Sequence, residues 1–183
     1  MLMNRDKVVL VDENDFPLGE MEKLEAHLKG ALHRAFSVFV FNPNGEMLIH
    51  QRAAGKYHGA GLWTNACCSH PQWGEDVRES ARERLQYEMG LDCELEKRFS
   101  FHYHTPVENN LIEHEFDHVF RAITDQQPDP HPKEVQDFRW MPMDVLLEDI
   151  KTFPQRYTFW FKKALLDWKA MDASFSGQVV KAV

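Results

Sequence analysis

The chain has 183 residues, 43% hydrophobic and 12% aromatic, enough apolar material for one globular domain over residues 1–183 with a sizeable core. Its formal charge of −8 argues against a general nucleic-acid surface, and means that an anionic ligand would have to be met by a local cluster of cations or by a bound metal. The first apolar run is too short for a signal peptide and none approaches the roughly 18 residues of a membrane span. Three cysteines, two of them adjacent, make no disulfide framework, so reduced thiols in a cytoplasmic protein are expected.

Lys7 to Val11 predicts a short strand, Asn14 to Gly19 a turn, and Glu20 to Leu28 a helix closed by Gly30, with Lys23 and His27 one turn apart. His33 to Asn42 is the strongest strand pattern. Asn42-Pro43-Asn44-Gly45 predicts a hairpin turn, and Glu46 to Arg52 the returning strand. Such a pair brings His33 and Arg52 to the same edge. Ala53 to Gly61 reads as a loop, where Lys56 and Arg52 are ordinary surface charges taken singly and can grip an anion taken together.

The run Trp63-Thr64-Asn65-Ala66-Cys67-Cys68-Ser69-His70-Pro71 has no simple packing rationale. Its thiols suit a nucleophile, a metal ligand or a proton carrier. Gly74 to Gly90 predicts a helix, with Val77, Ala81 and Leu85 as its apolar line and Ser80, Arg84 and Glu88 on another face. Cys93 to His104 ends in alternation, placing Phe99, Phe101 and Tyr103 on one side. In the next strand, Leu111 to Ile123, a period of two gathers Glu113, Glu115 and Asp117 on one face. Such a face is expected to meet water unless a cation binds it. Gln126 to Pro132 is a loop, Glu134 to Met141 a last strand, and Met143 to Ile150 a short helix. Gln155 to Met171 is a longer helix with Tyr157, Trp160 or Phe161, Ala164, Leu165 and Trp168 inward; the tail after Ala173 is expected to fray. The fold class is therefore α+β, a mixed sheet flanked by helices as α/β/α.

His27, His33 and His70 with Glu113 and Glu115 are donor types that suit Mn²⁺, Zn²⁺ or Fe²⁺ better than Ca²⁺, although their spacing is no short-range metal signature. His50, His58, His102, His104, His114, His118 and His131 read as surface or packing residues. Glu20 to His27, Leu32 to Ser37, Trp63 to Pro71, Tyr87-Glu88-Met89-Gly90 and Glu113-His114-Glu115 together resemble type I isopentenyl-diphosphate isomerases, in order from about residue 7 to Trp160. The Thr-Asn-x-Cys-Cys-Ser-His-Pro run is the specific part of this match. That family is part of the Nudix superfamily, whose hydrolase box G-x5-E-x7-R-E-U-x-E-E-x-G-U falls here on Ser69, Glu75, Glu83, Arg84, Leu85, Tyr87, Glu88, Gly90 and Leu91. The leading Gly is Ser, Arg-Glu is inverted, and one carboxylate of the Glu-Glu pair is Tyr87, so part of the cutting apparatus is missing.

The resemblance implies interconversion of isopentenyl and dimethylallyl diphosphate through a tertiary carbocation. It implies Cys68 and Glu115 as the acid–base pair, Tyr103 assisting proton transfer and the Trp160 ring facing the cation. His27, His33, His70, Glu113 and Glu115 would hold Mn²⁺ (or Zn²⁺ or Fe²⁺). Mg²⁺ would bridge the diphosphate to Glu88 and the Cys68 carbonyl, with Lys23, Arg52, Lys56 and Arg84 around the phosphates. Cys67 stays a structural residue. The expected partner is a small prenyl diphosphate, with no nucleic acid and no membrane, acted on by a monomer or weak homodimer. A Nudix-type diphosphohydrolase and a non-catalytic metal- or diphosphate-binding module are the alternatives.

Overall fold

A computed structural model describes residues 5–179, with side chains described as far as Ala170. In chain order it forms β1 (Lys7–Val11), β2 (Pro17–Glu22), α1 (Lys23–Lys29), β3 (His33–Phe41), β4 (Met47–Arg52), β5 (Trp63–Asn65) and β6 (Cys67–Ser69). There follow α2 (Val77–Met89), β7 (Glu96–Pro106), β8 (Ile112–Ile123), β9 (Val135–Met141), α3 (Met143–Thr152) and α4 (Phe159–Val179).

All the strands belong to one mixed sheet centred on β3. The nearly unbroken apolar run of β3 is the pattern of a strand covered on both faces. Alternation sends Phe36, Val38 and Val40 to a core shared with Ala81, Leu85 and Met89 of α2. Phe39 and Phe41 go to the opposite core, with Leu146 of α3 and Phe161, Leu165 and Trp168 of α4. This is the expected α/β/α arrangement. Along one edge β3 pairs in parallel with β8, from His33↔Glu115 to Phe41↔Ile123. No helix among the described residues is long and apolar enough to cross a membrane.

The predicted hairpin forms at its turn, where the Asn42 side-chain oxygen accepts from the Asn44 and Glu46 amides. It does not continue as a ladder. β3 and β4 pair only at Val40↔Leu48 and Phe41↔Met47. Beyond that fork, β6 takes the edge of β3 at Phe36–Val38 and β5 takes the edge of β4 at Ile49–Gln51. The Trp63–Ser69 stretch is therefore wedged between two diverging strands, and His33 and Arg52 do not face each other across a hairpin.

Two helix boundaries also differ from expectation. Pro17–Glu22 is an edge strand antiparallel to β1, because its exposure alternates with a period of two through Leu18, Glu20 and Glu22. Helix α1 starts only at Lys23, capped by the Glu22 carboxylate on the Glu25 amide. Helix α4 starts after a 3₁₀ turn at Pro154–Arg156 and runs past Met171 to Val179. Residues 180–183 of the tail after Ala173 lie outside the described residues. All the side chains expected inward from Tyr157 to Trp168 are buried. Helix α2 ends at Gly90 (φ 69°), where a Cβ would meet the Asp129 backbone oxygen at 2.9 Å, so glycine is required twice over.

His50 on β4 is buried, with Nδ1 3.2 Å from the Ala66 carbonyl. Burial, then the charges of Arg52 and Lys56, hold its pKa down from 6.5 to about 3. Below the ordinary value the unfolded chain takes up a proton that the folded chain refuses, so stability falls as pH drops from 6.5 towards 3. At about pH 5 this loss amounts to about 2 kcal/mol. Denaturant titrations should show a shallower acid slope in His50→Asn than in the native protein; identical slopes would contradict this.

Candidate active site and metal centre

The site is built on β8. Its period of two does place Glu113, Glu115 and Asp117 on one face, but that face turns inward, with the three residues 2%, 8% and 1% exposed. The water-facing reading is thereby overturned, and each buried carboxylate is met by specific partners. Glu113 Oε1 lies 2.9 Å from His58 Nε2 and 3.4 Å from His27 Nε2. Glu115 Oε1 lies 2.9 Å from His70 Nε2 and 3.6 Å from His33 Nε2, while its Oε2 accepts the Tyr103 hydroxyl at 2.6 Å. Asp117 accepts the Ser37 hydroxyl at 2.8 Å.

Each imidazole is aimed by its backbone. His27, in the last turn of α1, sets Nδ1 against the Lys23 carbonyl at 2.6 Å, and His33, opening β3, sets Nδ1 against the Ala31 carbonyl at 2.8 Å. Both Nε2 atoms then point into the cluster, buried and without a hydrogen bond among the described residues. Locking one ring nitrogen on a carbonyl and leaving the other bare is how protein imidazoles are prepared for a metal. Donor atoms of His27, His33, His70 and Glu115 lie within 4.8 Å of one another, and so do those of His27, His58 and Glu113. The bare nitrogens, the buried carboxylates and the separations all fit a divalent ion with mixed imidazole–oxygen ligation.

Cys67 and Cys68, neighbours in β6, face opposite sides of the sheet. Cys67 is fully buried in the α2 core, whereas Cys68 packs against the other cluster, donates to Asn65 Oδ1 at 2.9 Å and lies 3.5 Å from the Ser37 hydroxyl. Burial pushes the Cys68 thiol up to about 12, so it is protonated at neutral pH. Burial by itself would also raise Glu115, but the neighbouring His33 and His70 imidazoles outweigh it and hold that carboxyl well below the usual range. The two groups thus stand in opposite protonation states.

Cys68, Tyr103, Glu115 and Trp160 line a cavity of about 200 Å³. Trp160 is fixed by donating its indole N–H to Thr64 Oγ1 at 3.1 Å, and the Arg52 guanidinium lies 5.1 Å from its ring centre. The same cavity is lined by Lys23, Arg52, Lys56, Arg84 and Glu88. Arg84 and Glu88 are no exposed helix pair: both are largely buried, joined at 2.6 Å. Burial, then the neighbouring Lys56 and Arg84 charges, depress the Lys23 ammonium. Such crowding of cations in an acidic protein is relieved by an anion.

Several lining residues were not evident from the sequence. His58, read as a surface or packing residue, is buried against Glu113; it sits in an aperiodic loop, and its nearness to Lys56 was the one available hint. Glu134, read as the start of a strand, pairs with Lys56 and lies 3.4 Å from Arg84. Arg5 bonds Glu75 at 3.0 Å and the His70 carbonyl at 3.3 Å, a contact across the whole N-terminal half that no local pattern could signal.

Comparison with known proteins places these features in a family. The NUDIX domain model matches residues 31–161. The chain is 49% identical over 160 residues to isopentenyl-diphosphate Delta-isomerase 2 of Aromatoleum aromaticum, covering 87% of this chain and 85% of that protein. It is 50% identical over 158 residues to isopentenyl-diphosphate Delta-isomerase 2 of Photorhabdus laumondii, covering 86% and 89%. Among solved structures, DR0079 of Deinococcus radiodurans superimposes with a TM-score of 0.64 at 20% identity, covering 80% of this chain and 89% of that one. A MutT NUDIX hydrolase of Burkholderia pseudomallei gives 0.59 at 19% identity, covering 73% and 95%, so these two likenesses are of fold alone.

Proposed function

Because the chain belongs to the isopentenyl-diphosphate Delta-isomerase family of NUDIX proteins, we propose that it interconverts isopentenyl and dimethylallyl diphosphate by moving one proton onto, and another off, the carbon skeleton. The observation that carries this reading is the pairing of a protonated Cys68 thiol with an ionised Glu115 carboxylate in one cavity. A double-bond shift needs one group to give a proton and another to take one, and two groups in opposite protonation states meet that need. Tyr103, donating to Glu115, carries the proton between that carboxylate and the substrate carbon. The Trp160 ring face stabilises the tertiary cation, a contact worth about 2 kcal/mol when desolvated. Phe36, Tyr103 and Trp160 supply the apolar part of the cavity lining, where the cation is shielded from water.

Lys23, Arg52, Lys56 and Arg84 take the diphosphate. Glu88 accepts both Arg84 bonds through Oε1, and with the Cys68 carbonyl it would hold a Mg²⁺ that neutralises charge on the diphosphate. His27, His33, His70, Glu113 and Glu115 would hold Mn²⁺, or Zn²⁺ or Fe²⁺, and the bound ion would polarise Glu115. The free thiols fit work in the cytoplasm.

The rival hydrolytic reading has less support. Of the box carboxylates, Glu75 is engaged by Arg5 and the Gln72 amide, Glu83 is largely exposed and paired with Arg5 at 3.3 Å, and only Glu88 lines the cavity. Tyr87, in the place of the box's other carboxylate, lies under the Arg84 guanidinium and against His131. Isopentenyl diphosphate supplied with Mn²⁺ and Mg²⁺ should give dimethylallyl diphosphate without released phosphate, and chelation should stop it. Released phosphate would favour the hydrolase. Undiminished substrate binding with no turnover would favour a binding module.

A further inference from the structure

We infer that His58 supplies a fourth imidazole to the ion assigned above to His27, His33, His70, Glu113 and Glu115, closing the position that five protein donors would leave to solvent. The two carboxylates are treated alike. Glu115 lies between His33 and His70, and Glu113 lies between His27 and His58, each with one nitrogen at 2.9 Å and another within 3.6 Å of Oε1. Six donors around an ion with bonds of roughly 2.1 Å form an octahedron whose neighbouring corners are about 3.0 Å apart. The pairs at 2.9–3.6 Å are close to such edges. His27 belongs to both donor groups, His27–His33–His70–Glu115 and His27–His58–Glu113, and so links the two carboxylates.

His58 does not have the environment of a packing histidine. It is 7% exposed, with Nε2 turned onto the buried Glu113 carboxylate at 2.9 Å. Its loop is pinned to present it: Arg52 donates to the His58 carbonyl at 3.0 Å, and the Gly59 amide donates to Glu108 at 3.3 Å. Gly59 has φ +58°, and a Cβ there would come within 3.3 Å of the Arg52 guanidinium.

The consequence is chemical. The His58 ring stands edge-on to Trp160, with centroids 5.7 Å apart, between the carboxylate–imidazole cluster and the ring assigned to the cation. Structural metal sites are closed, whereas catalytic ones keep a position open. A sixth protein donor at this place makes the centre a closed one and removes solvent from the side facing the cation.

This inference rests on the metal reading above, and the test separates the two. Electron spin-echo measurements on the Mn²⁺-loaded native protein should find four coupled imidazole nitrogens, and three in His58→Ala. Water-proton relaxation by the bound Mn²⁺ should rise in His58→Ala, reporting a newly admitted water, and Mn²⁺ affinity should fall by about tenfold or more. Three nitrogens and a rapidly exchanging water already present in the native protein would overturn the role of His58 while leaving the metal reading intact. A native protein that binds no Mn²⁺ would overturn both.

Discussion

Cys68→Ala should lower turnover by about 10²–10⁴-fold, the range by which a positioned acid or base accelerates a reaction, while Cys67→Ala leaves turnover essentially intact. The two residues are adjacent in sequence and chemically identical, so the difference comes from the strand. A period of two sends the Cys68 thiol to the cavity, hydrogen-bonded to Asn65, and the Cys67 thiol into the apolar layer beneath α2. Cys67→Ala removes a fully buried sulfur from that layer and should cost about 1 kcal/mol of stability. Steady-state rates and denaturation midpoints of both variants check the pair. A catalytic defect confined to Cys67→Ala would mean that the facing of β6 is wrong.

Glu115→Gln should be as severe for turnover, again about 10²–10⁴-fold, and should also deplete the metal. The neutral amide keeps the shape of the side chain and can still accept from Tyr103, but it can neither take up a proton nor offer a charged oxygen. His33 and His70 lose the anion that they flank at 3.6 and 2.9 Å. Metal content by elemental analysis and turnover should therefore fall together. Full metal occupancy with near-native turnover would exclude Glu115 from both roles.

Much of this arrangement was legible in the sequence, for reasons that differ by element. β3 and β8 announce themselves as strands because a long apolar run in one and a long alternating run in the other leave one choice of element. Helix α2 does so through its apolar line and its Gly90 stop. The environment of the β8 carboxylate face was not legible, because whether it meets water depends on which distant segments, here α1 and the loops carrying His58 and His70, pack over it. Nor was the fork between β3 and β4: β5 and β6 have three residues each, too few to show a period, and their pairing is decided by distant strands. The proposed donors His27, His33, His70, Glu113 and Glu115 were singled out through their likeness to a family rather than through spacing, since they come from four separate segments. His58 and Glu134 escaped for a related reason. A loop residue acquires its role only when a remote group such as Arg52 or Lys56 fixes it in place.

The central claim is proton exchange on the carbon skeleton of a prenyl diphosphate, with the diphosphate left whole. It is tested most directly by running the reaction in D₂O with Mn²⁺ and Mg²⁺ and reading the product by mass and proton resonance. The account predicts dimethylallyl diphosphate carrying deuterium, with no released phosphate. Recovery of unlabelled isopentenyl diphosphate, or of phosphate, would contradict it.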